Sequence, residues 1–167
     1  MNLSAKLILA AATLAIAGAA GYAFTRQEVA PEVRFVTLAG DRLSTSDLRG
    51  KVVLVNFWAT SCVTCVKEMP MLSDTHRKFA PRGYETIAVA MSYDHPNQVA
   101  EFAKQRALPF KVAMDTDGSI ARQFGNVRVT PTTYLIDKKG RVIKTYLGEP
   151  RLDEFHALLE KALGEPA

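Results

Sequence analysis

Cysteine is nearly absent from this 167-residue chain, which holds only Cys62 and Cys65, with two residues between them. A framework of several disulfides is therefore excluded. The three histidines, His76, His95 and His156, show no His-x3-5-His spacing that would complete a Cys2His2 zinc set, so they read as surface or packing residues. No cysteine near the N-terminus could carry a lipid anchor. Clustered basic charge is missing as well. The 21 basic residues outnumber the 17 acidic ones, but no basic run exceeds Lys138-Lys139, and the net charge of +4 reads as a solvated surface rather than a nucleic-acid footprint. Ten glycines and eight prolines are too few for collagen-like or low-complexity sequence, and no internal repeat is present. Met69, Met71, Met91 and Met114 are spread through predicted core elements, unlike the closely spaced methionines of a copper tract. The acidic turn Asp115-Thr116-Asp117-Gly118 lacks the later oxygen ligands and the glutamate of a calcium loop. What remains is 48% hydrophobic and 23% charged, enough for one ordinary core and too short for two independent enzyme units.

Leu7 to Phe24 is an uncharged stretch of eighteen residues, preceded by Lys6 and followed by Arg26. As a helix it would reach about 27 Å, just short of a hydrocarbon core. It predicts either a retained single-pass anchor or a cleaved signal peptide, with Gly18-Ala19-Ala20 as the small residues for cleavage; its length favours retention. Lys6 on the N-terminal side places that end in the cytoplasm. Either fate puts the rest of the chain on the periplasmic, extracytoplasmic side. The expected organisation is a membrane-directed segment over 1–25, a linker over 26–32 and one domain over 33–167.

Within that domain, residues 33–38 predict a short strand, 39–42 a turn, and 44–50 a turn or single helical turn. Val52 to Trp58 is a nearly continuous apolar, β-branched run, as expected of a strand buried on both faces at the centre of a sheet. A helix follows from near Cys62 to about Phe79, interrupted and bent at Pro70. Further strands are predicted over 84–92, 110–114, 132–136 and 141–146, and helices over 96–105, 119–124 and 151–163. Asp137-Lys138-Lys139-Gly140 marks a hairpin. This order predicts an α/β fold, a central mixed sheet with helices on both faces.

A Cys-x-x-Cys at the passage from a buried strand into a helix has a specific chemistry. The first thiol meets the free N–H groups and positive dipole end of the helix, which favour its thiolate. The second lies one turn in, less exposed. Cys62 would attack a disulfide and Cys65 would resolve the mixed disulfide. As a mere staple the pair would do little, because so short a loop restrains the unfolded chain by roughly 2 kcal/mol.

The stretches VVLVNFWATSCVTCVKEMP and VTPTTYLIDKKGRVIKTYLG resemble membrane-tethered thiol-disulfide oxidoreductases of the TlpA/ResA type, with a thioredoxin-like fold carrying an N-terminal β extension, over roughly residues 33 to 163. The resemblance implies that Pro131 is cis and faces the disulfide, and that the Thr130 backbone pairs with an extended substrate segment by strand addition. Cytoplasmic thioredoxins carry a buried aspartate where this chain has Asn56, which cannot exchange a proton. Glu68, one turn beyond Cys65, is the candidate acceptor instead. Trp58 is expected to pack in the core. Ser61 and Thr64 depart from the Trp and Pro usual around such cysteines. The resemblance further implies a reductase of disulfides in exported proteins, apocytochromes c or copper-site assembly proteins among them. It needs no cofactor or metal beyond the Cys62–Cys65 disulfide, and it is re-reduced by a membrane thiol carrier of the DsbD/CcdA type. Two other readings are a peroxiredoxin-like thiol peroxidase, for which the expected proline before the cysteine is missing, and a non-catalytic redox or copper chaperone.

Overall fold

The computed structural model describes residues 28–167. The apolar segment and its readings as anchor or leader lie outside the described residues, among which no helix is long and apolar enough to cross a membrane.

The centre of the fold is β3 (Val52–Trp58), whose seven residues are all buried. Beside it in parallel lies β4 (Tyr84–Ala90), equally buried, and then β5 (Lys111–Met114). On its other side β6 (Thr132–Ile136) and β7 (Val142–Leu147) add antiparallel strands, giving the order β5-β4-β3-β6-β7. The mixed sheet is the one the sequence predicts. Its uninterrupted apolar strands occupy the middle because only there are both faces covered.

One face is covered by α1 (Val63–Phe79) and α4 (Leu152–Gly164), packing Leu54, Trp58, Leu72, Phe79, Phe155 and Leu159. α2 (Pro96–Gln105) joins this side through Val99 and Phe102. The other face holds Phe35, Val55, Phe57, Val89 and Phe124 beneath α3 (Ser119–Gln123) and the N-terminal strands. Each fully buried side chain of this size contributes about 1.5–3 kcal/mol. α1 runs through Pro70 without a break, contrary to the predicted interruption. The lost backbone donor is tolerated because Met69 and Leu72, on either side of it, are anchored in the core at 2% and 1% exposure.

The N-terminal part holds more pairing than its sequence predicts. β1 (Arg34–Val36) pairs antiparallel with β2 (Arg42–Ser44), so Arg42, read as a turn residue, starts a strand. Thr37 bridges to Ala113 and joins this hairpin to the β5 edge. Within the stretch read as a linker, Val29 bridges to Arg141, the Ala30 N–H donates to the Gly140 carbonyl at 2.9 Å, and the Glu28 carbonyl accepts from the Val142 N–H at 2.7 Å. The acidic turn before α3 is also explained. Both oxygens of Asp115 accept N–H groups of that helix, from Ile120 and Ala121 at 2.9 Å each. Asp115 is a helix cap.

Candidate active site

β3 ends at Trp58 and the chain turns through Ala59, Thr60 and Ser61 into α1, so Cys62 becomes the N-cap of the longest helix among the described residues. Its extended backbone (φ −88°, ψ 105°) leaves the sulfur in front of the first helical turn, where the Cys65 N–H donates to Cys62 Sγ at 3.2 Å. No acidic residue lies in that first turn to oppose a thiolate. Cys62 and Cys65 form a disulfide with Cα atoms 5.2 Å apart. Cys62 is partly exposed and Cys65 fully buried. An incoming nucleophile or a partner sulfur can therefore reach only the first sulfur.

The Thr130–Pro131 peptide bond is cis, and the Thr130 carbonyl oxygen lies 3.6 Å from Cys62 Sγ. Pro131 is buried and leads directly into β6, while its own carbonyl accepts from the Gly148 N–H at 2.8 Å. Exposed apolar side chains belong to the segments around the sulfur: Val63 at 83%, Tyr93 at 63% and Val129 at 59% exposure. Trp58 is fully buried and packs on Phe102 with ring centroids 5.2 Å apart, the core role its sequence position predicts.

Glu68 is also fully buried, one turn beyond Cys65. It is not an exposed helix glutamate. Its Oε1 accepts from Asn56 Nδ2 at 2.8 Å, and its Oε2 has no partner. Burial pushes its carboxyl up to about 7; the Asn56 hydrogen bond pulls it down, and Glu149, which is itself paired with Lys67 at 3.2 Å, pushes it up further. A carboxyl held near neutrality can take a proton and return it at physiological pH. Asn56 provides the hydrogen bond without a second titrating group.

Three contributors carried no signal in the sequence. Asp94, 8% exposed, accepts from the Thr60 N–H and the Thr60 hydroxyl at 2.6 Å each and from the His95 N–H at 3.0 Å, clasping the redox turn to the loop after β4. Next to it the Tyr93 hydroxyl meets Thr130 Oγ1 at 3.4 Å, so one loop touches both segments that flank Cys62. Thr133 is the third, bonded to the Asn56 amide. The histidines stand apart from the sulfurs: His76 meets Thr86, His156 meets Thr75, and His95 sits at the N-cap position of α2 without a side-chain capping bond. No group of three or more potential metal ligands occurs among the described residues.

Residues 25–160 match the Redoxin family. The chain is 35% identical over 159 residues to the thiol-disulfide oxidoreductase ResA of Bacillus thuringiensis subsp. konkukian, covering 89% of this chain and 91% of that protein. It is 36% identical over 132 residues to ResA of Bacillus anthracis, covering 79% and 75%. Among solved structures, a thioredoxin-family thiol:disulfide interchange protein from Chlorobium tepidum TLS superposes with a TM-score of 0.76 at 29% identity, over 84% of this chain and 99% of that one. With its Cys62–Cys65 disulfide set at the strand-to-helix turn of a thioredoxin-like fold, the chain belongs to the Redoxin family, among the thiol-disulfide oxidoreductases of the ResA type.

Proposed function

We propose that the chain is an extracytoplasmic reductase that opens disulfides in exported proteins. The observation that carries this reading is the division of labour at the site: a partly exposed Cys62 sulfur at a helix N-terminus, a fully buried Cys65, and a buried carboxyl, Glu68, one turn beyond it. In the reduced protein the Cys62 thiolate attacks one sulfur of a partner disulfide. A mixed disulfide forms and the partner's other sulfur leaves as a thiolate, which takes up a proton. Cys65 then gives its proton to Glu68 and attacks Cys62 Sγ. That step breaks the mixed disulfide, closes Cys62–Cys65 and releases the partner's second thiol. Two electrons pass to the partner.

The extended partner segment lies along Thr130, whose backbone faces Cys62 beside cis-Pro131. Apocytochromes c and copper-site assembly proteins are substrates of the required kind, exported chains whose cysteines must be free. A membrane thiol carrier of the DsbD/CcdA type restores the dithiol. The apolar segment Leu7–Phe24 behind Lys6 supports placement at the membrane with the domain outside the cytoplasm.

Two measurements test the reading. Cys65→Ser accumulates mixed disulfides through Cys62, whereas Cys62→Ser does not; equal trapping by both variants refutes the nucleophile assignment. The reduction potential, set against thiol buffers, falls near the about −270 mV of thioredoxin; a value near the about −120 mV of a strong oxidant makes the chain a disulfide donor instead.

A further inference from the structure

The buried polar group behind the cysteines holds one more residue than the proton transfer needs. Thr133 stands directly opposite Asn56 in the antiparallel register of β3 and β6 and is 1% exposed. Asn56 Nδ2 donates to Glu68 Oε1 at 2.8 Å and to Thr133 Oγ1 at 2.8 Å. A primary amide has two N–H donors, and both are used. On the other side of the group, Asn56 Oδ1 and Glu68 Oε2 have no partner. The amide is thus oriented by two acceptors at its nitrogen and by none at its oxygen. Turning it over would bury both N–H donors without acceptors and bring a carbonyl oxygen against the carboxylate.

We propose that Thr133 is a positioning residue that, through Asn56, keeps an N–H directed at Glu68 Oε1 and so leaves Oε2 as the oxygen that takes and returns the proton. Without the Thr133 oxygen one amide proton faces nothing. The amide is then held at Glu68 alone and is free to turn away from Oε1, which takes from the carboxylate its one donor. Glu68 should therefore hold its proton more tightly.

The other groups facing Glu68 do not supply this orientation. β3 and β6 present only the neutral Asn56 and Thr133, and β7 places Tyr146 across from Thr133, a phenol whose ionisation burial pushes up. Cys65 lies one turn back on the same helix, in the disulfide. The charges that act from outside are Glu149, after β7, and its partner Lys67 on α1.

The test is a titration of the Glu68 side-chain carboxyl by carbon-13 NMR in the oxidised full-length protein, which reads the carboxyl without turnover. Thr133→Val raises the midpoint by about one pH unit, a tenfold gain in proton affinity. Thr133→Ser returns it to the wild-type value, and Thr133→Ala, which also lacks the oxygen, substitutes for valine if that variant does not fold. Asn56→Leu raises the midpoint as well, and adding Thr133→Val to it changes nothing further. A midpoint unmoved by Thr133→Val and Thr133→Ala while Asn56→Leu shifts it overturns the proposal, as does an additive double variant.

The consequence for turnover rests on the reading of Glu68 as the acceptor for Cys65. If so, the pH dependence of mixed-disulfide release moves with the carboxyl midpoint. A moved midpoint with an unmoved release profile leaves the positioning role of Thr133 in place and refutes that reading of Glu68.

Discussion

Two carboxylates are buried almost equally well, Glu68 on α1 against the sheet and Asp137 in the β6–β7 turn, yet their surroundings are opposite in kind. Glu68, at 0% exposure, faces the half of the sheet where Asn56 pairs with Thr133, and it has one donor and an oxygen with none. Asp137, at 3%, follows the pairing of Val53 with Ile136 and caps the β6–β7 turn. It accepts from the Lys139 and Arg141 N–H groups at 2.9 Å each and from the Arg141 guanidinium at 2.6 Å. Burial alone raises both acids. At Asp137 the Arg141 side chain and backbone donors outweigh it and hold the carboxyl below the usual range; at Glu68 one neutral amide does not. The first acid stabilises a turn, and the second is kept ready to change charge.

Substitutions should separate the two. Glu68→Gln slows release of the mixed disulfide about 10³-fold, since the acceptor for the Cys65 proton is gone, while Asp137→Asn leaves it unchanged; stopped-flow release kinetics read both. A full-rate Gln variant would end the contrast.

Stability moves the other way. Folding raises the Glu68 value from 4.5 to about 7, so the native state binds the extra proton. Wild type therefore loses stability relative to Glu68→Gln as pH rises from 4.5 to 7, by about 3 kcal/mol in all, and stays lower above that. Urea unfolding of both oxidised proteins at pH 5 and pH 8 measures this. Asp137→Ala instead destabilises by about 2 kcal/mol near neutrality. Because folding lowers the Asp137 value, its contribution is complete above the unfolded carboxylate range and disappears as pH falls through the folded value, so the variant and wild type converge in acid. Asp115, a third buried carboxylate, does only the work of a cap: Asp115→Ala costs about 1 kcal/mol by the same assay and leaves redox turnover intact.

The contrast between the acids also marks what a sequence can show. Val52–Trp58, Pro96–Gln105 and Thr132–Ile136 have the bounds their patterns predict, because hydrophobic continuity, a first-turn proline and β-branching are local signals. The Cys62–Cys65 pair was legible from its spacing at a strand-to-helix passage, and Glu68 from the resemblance together with its place one turn beyond Cys65. Asp94 and Thr133 were not, since their meaning depends on partners 34 and 77 residues away in the chain. The three-residue strand β2 was lost for a related reason: Arg42-Leu43-Ser44 carries too little pattern, and its pairing with β1 is what makes it a strand.

The pairing of Glu28, Val29 and Ala30 with residues 140–142 fixes where the chain enters the fold. That entry adjoins the β6–β7 turn, at the pole where β3 begins, whereas Cys62 follows the other end of β3, about 20 Å along the strand. Anything attached through the N-terminus thus grips the domain by its heel.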